Sequence, residues 1–378
     1  MAGGDLARLR AFNALAVIRA VRDGAPLTLS EVANRTGLSR PAVEDIVGDV
    51  TAQGWIVEVP PVAGVMGRPA RRYRFCSEAG HVLGVDVGAH RVRALVADLD
   101  GAVVGSHQVG VQPETSPGRR LAAMGRAARA AFTAAGLAPS AAWAVGIAST
   151  GVVDAKGRVG LSVVPGWTGV DLAAPFVDLG CPVYAANDCT LAARAEQWQG
   201  VAQDVTDMVY VLAGSRTGAG LVLGGRLHRG AGGAAGEIGF LSESRWARAQ
   251  ERLRGWSGVP ADLPETDVPP YVFAAARDGD RGARSAVKGY ARDLALGTAA
   301  VVLTVDPELV VLGGGFSRAA DLLLEPLRAE LDRLVIRPVE VRVSTLGENA
   351  AALGAVRHAL DHVEERFFAS EAGPLDPL

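Results

Sequence analysis

A strand that runs into a glycine turn recurs three times in this 378-residue chain, and that repetition limits the fold more than any other feature. Val82-Leu83-Gly84-Val85-Asp86-Val87-Gly88 is a β-branched run entering a turn, and residues 92–98 read as its hairpin partner, ending at Asp100-Gly101. Residues 208–212 form a second such strand, followed by a glycine-rich turn over residues 214–220 and a return beginning at residues 221–223. Residues 309–312 then run into Gly313-Gly314-Gly315. Helical stretches, such as the alanine-rich residues 121–135, separate these units, so the pattern predicts an α/β protein. The duplication predicts two related lobes with a cleft between them, and the third glycine turn is expected at that cleft.

The first 80 residues follow a different pattern. Residues 6–21 place Leu9, Phe12, Leu15, Ala16 and Ile18 at three- and four-residue intervals, as on one helix face, and Asp23-Gly24 ends the run. Thr28 or Ser30 can cap a second, short helix that buries Val32 and Ala33. After the turn at Gly37-Leu38-Ser39, Ser39 caps a third helix with Pro41 in its first turn and Val43, Ile46, Val47 and Val50 as its apolar stripe. Residues 55–59 and 71–75 read as two strands joined by a Gly/Pro-containing loop that ends at Pro69. Three helices and a hairpin predict a winged helix-turn-helix over residues 1–80, ahead of a second domain at 81–378. The start of the recognition helix, Ser39, Arg40, Pro41 and Ala42, and the wing arginines Arg68, Arg71 and Arg72 are the candidate DNA contacts. Glu44, Asp45 and Asp49 on the same helix repel phosphate, although a carboxylate can accept from a cytosine amine. A helical oligomerisation module is the plainer reading of this segment; the basic wing favours DNA.

Composition excludes several classes. Hydrophobic residues make up 49% and charged residues 21%, a globular rather than a disordered balance. The most apolar stretches, residues 209–212 and 299–305, fall well short of the roughly 18 apolar residues of a membrane span, so no membrane partner is expected. Residues 1–10 lack a signal-peptide core, and Cys76, Cys181 and Cys189 make neither an even disulfide framework nor a CxxC pair, which predicts a cytoplasmic location. With a net charge of -3, affinity for nucleic acid must come from a local patch. His358 and His362 share a helix face, but Ala359 stands where a zinc-protease helix carries glutamate and no third ligand is near, so no metal site is expected.

Six motifs occur in order over most of the chain. They are Leu83-Gly-Val-Asp-Val-Gly88, Pro165-Gly-Trp167, Asn187-Asp188, Gly218-Ala-Gly220, His228-Arg-Gly-Ala-Gly-Gly-Ala-Ala-Gly-Glu-Ile-Gly239 and Asp306-Pro-Glu-Leu-Val-Val-Leu-Gly-Gly314. On these residues the chain resembles the ROK family of repressors and sugar kinases. The resemblance implies a two-lobed actin-like ATPase fold in which Asp86, Gly88, Gly218, Gly220, Gly313, Gly314 and Gly315 surround nucleotide phosphates, here as a vestige. It also implies ligand contacts from Asn187, Asp188 and Glu237, with Asp188 at the position of a kinase's general base. Trp167 reads equally as core or as pocket wall.

The chain departs from the kinase pattern where phosphate would lie. Ala89-His90 stand where the first phosphate turn carries glycine and threonine, and Arg216 occupies a glycine position of the second. A Cβ there obstructs backbone approach, while the guanidinium keeps a capacity to bind phosphate. Phe240 replaces a histidine that contacts sugar in the family, no cysteine cluster for the family's structural zinc follows it, and Val163 replaces an asparagine. These features predict a ligand-responsive regulator that binds operator DNA as a homodimer or higher homo-oligomer. It would sense a sugar or sugar derivative in a cleft near residues 187–240, with no cofactor, no metal and no significant kinase activity. The alternative is an ATP-dependent sugar kinase with an accessory DNA-binding domain. A third reading is a constitutive DNA-binding protein whose second domain serves only dimerisation.

Overall fold

The computed structural model describes residues 2–22, 24–60 and 70–368. Its N-terminal part is a winged helix-turn-helix: α1 (Ala2–Arg22), β1 (Leu27–Thr28), α2 (Leu29–Thr36), α3 (Arg40–Ala52), β2 (Ile56–Val59) and β3 (Arg72–Phe75). β3 lies between β1 and β2 and pairs antiparallel with both. Thr28 caps α2 in a reciprocal box: its backbone N–H donates to Glu31 Oε2 at 2.7 Å, and Glu31 N–H donates back to the threonine hydroxyl. Ser39 caps α3, whose Val43, Ile46, Val47 and Val50 are all buried, as the stripe predicts. The expected face of α1 needs correction. Leu15, Val17, Ile18 and Val21 are buried, whereas Leu9 and Phe12 are each 56% exposed. Helical period tells which residues share a face but not how far along the helix its packing partners extend.

The rest of the chain forms two lobes with identical wiring. The first sheet comprises β4 (His81–Val87), β5 (Arg91–Asp98), β6 (Val103–Gly110), β7 (Ala142–Ser149) and β10 (Val183–Asn187), with α4 (Pro117–Ala135) between β6 and β7. A small ribbon, β8 (Val152–Val153) and β9 (Val159–Leu161), leaves the end of β7, and α5 (Asp188–Gln199) follows β10. The second sheet comprises β11 (Met208–Ala213), β12 (Thr217–Leu223), β13 (Arg226–Leu227), β14 (Leu309–Gly313) and β15 (Glu340–Val343). Between β13 and β14 run α6 (Trp246–Arg254), α7 (Val268–Arg277) and α8 (Arg281–Val305); α9 (Ala320–Leu334) precedes β15 and α10 (Ala350–Phe368) ends the described chain. In both sheets the order is third, second, first, fourth, fifth, with an antiparallel meander followed by two parallel strands.

α5 and α10 pack against each other between the sheets, α10 on β4 and β7, α5 on β11 and β12. Gly218 and Gly220 belong to this packing. They lie within β12, not in the turn where the sequence reading placed them; the turn is only Gly214-Ser215-Arg216. A Cβ on Gly220 would come within 2.1 Å of the Cys189 carbonyl oxygen, so the strand can approach the helix only as glycine.

One apolar cluster joins the winged helix to the first lobe. It runs from Leu15, Ile18, Trp55 and Phe75 to Val82, Leu95 and Leu99, and on to Val356, Leu360 and Val363 of α10. Trp55 meets Trp143 of β7 edge-on, with ring centroids 5.6 Å apart. Arg22, at the end of α1, donates to Glu364 of α10 at 2.7 Å and to the Leu99 carbonyl at 3.0 Å. Arg357 forms an ion pair with the same carboxylate oxygen of Glu364 at 2.6 Å and donates to Asp361 at 2.9 Å, and Asp361 also accepts from Arg194 of α5 at 2.7 and 2.9 Å. An ion-pair ladder therefore runs from α1 through α10 to α5.

Candidate functional site

The ends of β4, β7, β10 and β11 and the start of α5 converge on a cavity of about 550 Å³ between the lobes. The carboxyl ends of parallel strands, where backbone groups lose their ladder partners, are the usual place for a ligand in such sheets. Asn187 ends β10 and caps α5, its Oδ1 accepting from Thr190 N–H at 3.0 Å, while its Nδ2 donates to the Gly151 carbonyl at 3.1 Å and to Glu237 Oε1 at 3.3 Å. Its amide is thus committed within the chain, where it fixes the helix start and holds Glu237. Asp188, the first residue of α5, accepts from the Thr150 hydroxyl at 3.0 Å and from Cys189 N–H at 2.8 Å. Each carboxylate oxygen keeps a lone pair for a hydroxyl in the cavity. Glu237 is pushed up from the usual carboxylate range, chiefly by burial and next by the Asp188 charge. Asp86, on β4, is raised to about 7 for the same two reasons, opposed by Arg91 and Arg93.

Asp86, Gly88, Asn187, Asp188, Gly218, Glu237, Gly314 and Gly315 all line this cavity, together with His90 and Arg216. Trp167 does not. It lies in the core of the first lobe, 1% exposed, with its indole N–H donated to Ser149 at 3.0 Å. Gly220 and Gly313 are likewise off the cavity wall; a Cβ on Gly313 would strike the Tyr210 ring. Of the six glycines assigned to phosphate, only Gly314 has a left-handed backbone, at φ 83°. Phe240 and Val163, 59% and 67% exposed, form an apolar part of the rim.

Three contributors to the site were missed in the sequence. Thr150 follows β7 at the cleft end of a parallel strand, a position that could have flagged it. Arg120, on α4, is buried and donates to the carbonyls of Gly88, Ala89, Gln112 and Pro113, clamping the first glycine turn from behind. Gln250, on α6, donates to the Gly214 carbonyl in the second turn. Neither has a local sequence signal, because each reaches the turn from a helix distant in sequence.

The winged helix presents a mixed surface. Ser39, Arg40 and Pro41 are exposed at the start of α3, and so are Glu44, Asp45 and Asp49. Arg40 makes no ion pair among the described residues. Arg71 is exposed and 3.5 Å from Glu58. Arg72 turns inward, donating to the Pro26 carbonyl at 2.8 Å, with Glu31 at 3.9 Å. It therefore ties the wing to α2 instead of extending from it. Arg68 lies outside the described residues.

His358 and His362 pack with Tyr184, whose ring stacks on His362 at 3.7 Å, and burial, then the His362 charge, pushes His358 down to about 4. Among the described residues no three His, Cys, Asp or Glu side chains gather to hold a metal, and no helix is long and apolar enough to cross a membrane.

Two family models match the chain, the ROK family over residues 82–251 and 256–362 and the IclR helix-turn-helix domain over residues 11–60. The xylose repressor of Caldicellulosiruptor bescii is 23% identical, covering 93% of this chain and 96% of that protein, and the xylose repressor of Bacillus subtilis is 22% identical, covering 95% and 97%. The crystal structure of a ROK family transcriptional regulator, a homolog of the E. coli MLC protein, superposes over 93% of this chain and 97% of its own with a TM-score of 0.69 at 21% identity. A ROK family glucokinase from Streptomyces griseus, in complex with glucose and AMPPNP, matches 75% of this chain and 100% of its own, with a TM-score of 0.64 at 26% identity.

Proposed function

The chain belongs to the ROK family, and from that membership we propose that it is a sugar-responsive transcriptional repressor. Residues 1–80 hold operator DNA and residues 81–378 sense the sugar. The observation that carries this reading is the union of a cavity floored by Asp188 and Glu237 with a winged helix packed on the same lobe. Its curated relatives, matched over nearly the whole chain, are named xylose repressors, which supports a sugar as the effector. Arg40, Arg71 and Arg68 are the basic residues assigned to DNA, and operator binding by a homodimer is part of the proposal. The carboxylates of Asp188 and Glu237 accept from sugar hydroxyls. Phosphoryl transfer depends chiefly on positioning the phosphate, and Arg216 occupies the second turn, so kinase turnover is expected to be absent.

The test begins with genomic fragments recovered on the purified protein, followed by anisotropy of a labelled fragment titrated with free sugars. A sugar that discriminates between two conformations shifts operator affinity by about 5- to 150-fold. Asp188→Ala and Glu237→Ala are expected to hold DNA normally but respond only at much higher sugar concentration. Arg40→Ala weakens DNA binding and flattens the salt dependence by roughly 0.9 in log-log slope for a lost phosphate contact. Unchanged sugar response in both carboxylate variants would place the effector elsewhere. Turnover on the order of 1 s⁻¹ in a coupled phosphorylation assay would make the chain a kinase.

A further inference from the structure

We infer that the effector of this cleft carries an anionic group, a phosphomonoester before a carboxylate, and that Arg216 is its counter-charge; this rests on the cleft being a sugar site. Arg216 stands on the turn between β11 and β12 and lines the cavity that Asp188 floors. Its Nη1 is buried without an acceptor, and the carboxylate whose charge acts on it, Asp188, makes no direct ion pair with it. A guanidinium has five N–H donors and does not give up its charge, so an Nη1 buried without an acceptor leaves that acceptor to be supplied by a ligand. On the same wall the Gln250 amide gives its Nε2 to the Gly214 carbonyl, and its Oε1 is left buried without a donor. An unmatched cationic donor and an unmatched acceptor together fit a singly protonated phosphomonoester, whose oxygens accept from Arg216 and whose hydroxyl donates to Gln250. A carboxylate supplies only the acceptors. The Arg216 charge also bears on His90 and Arg120, which after burial are pushed further down by it, and an anion between them relieves that repulsion. Asp188 and Glu237 remain for the hydroxyls of the ring.

Calorimetric titration of the full chain tests this with D-xylose, D-glucose and N-acetyl-D-glucosamine, their phosphomonoesters, D-glucuronate, inorganic phosphate and AMPPNP. At least one phosphomonoester is expected to bind about tenfold or more tighter than its neutral parent. Arg216→Gln removes that gain while the neutral parent still binds, and Arg216→Lys, which restores a charge without the planar fork, recovers part of it. Because Arg216 has no internal ion pair, neither substitution is expected to unfold the lobe, and a melting curve checks this. Neutral sugars that bind with no gain from an anionic group, or a gain that survives Arg216→Gln, overturn the inference and leave the sugar site standing. Binding of inorganic phosphate or AMPPNP that is lost in Arg216→Gln, with no sugar bound in either form, removes the sugar reading and with it the inferred effector, leaving only an anion site. Silence from every probe overturns the inference outright.

Discussion

The two lobes share one strand order, and the first hairpin turn of each lines the same cavity, yet the arginines at those turns differ in how their Nη groups are matched. At the turn after β4, Arg120 reaches in from α4 and both its Nη groups are taken up by carbonyls, including those of Gly88 and Ala89. At the turn after β11, Arg216 is part of the turn itself and its Nη1 has no acceptor. The first arginine holds the chain together, and the second is available to something outside it. Equal wiring therefore does not give equal chemistry. What a turn can bind depends on whether its hydrogen-bonding capacity is already used within the chain.

Stability measurements should separate the two arginines by the largest margin. Arg120→Leu leaves several carbonyls without a donor and is expected to cost about 3–5 kcal/mol in urea unfolding. Arg216→Leu removes a half-buried guanidinium whose desolvation is offset in part by the Asp188 charge, and should change stability by no more than about 1 kcal/mol. Similar losses in both variants would break the comparison.

A second contrast is that only the first lobe carries a buried carboxylate beside its turn, Asp86, raised to about 7. The folded protein disfavours the ionised form, so the wild type carries a penalty that is absent below the ordinary Asp value of 3.8, grows as pH rises from there to about 7, and is complete above 7. Asp86→Asn should therefore be more stable than the wild type at pH 8, by at most about 4 kcal/mol, an upper bound because water reaches the cavity. The gap should close near pH 4. Melting curves at pH 4.5, 6 and 8 check this, and a pH-independent difference would show that Asp86 is paired and ionised.

The smallest expected effect concerns how occupancy at the second turn reaches DNA. Glu364 accepts from Arg22 of the winged helix and forms an ion pair with Arg357 of α10, whose neighbour Asp361 holds Arg194 on α5, the helix that begins at Asp188. Glu364→Gln should leave sugar affinity within about twofold while reducing the sugar-induced change in operator affinity by about fivefold, or about 1 kcal/mol. Full coupling in that variant would move the signal to the apolar seam around Trp55 and Trp143.

Much of the fold was legible in the chain. The caps at Thr28 and Ser39, the valine stripe of α3 and the strand-to-glycine turns all act within a few residues, where propensity and period operate. The cleft residues Asn187, Asp188 and Glu237 were legible through the family motifs. Leu9 and Phe12 were misplaced because period does not report the length of a packing partner. Trp167 reads in sequence equally as core or pocket wall because an indole suits both environments; its bond to the hydroxyl of Ser149 settles it for the core. Arg72 read as a wing contact because a run of arginines in sequence does not show which way each side chain turns.

The amino-acid sequence by itself determined the element types, their order, the winged helix and the loss of the glycine at position 216. These follow from local backbone preference and hydrophobic pattern, which are properties of short stretches. Tertiary structure alone decided which glycines serve packing, as Gly220 does against α5, and which face the cavity. It also decided that both Nη groups of Arg120 find carbonyls while Nη1 of Arg216 finds none. Whether a polar group has a partner depends on residues brought close by folding, here from α4 and α6 to turns far away along the chain, and no local pattern encodes that distance.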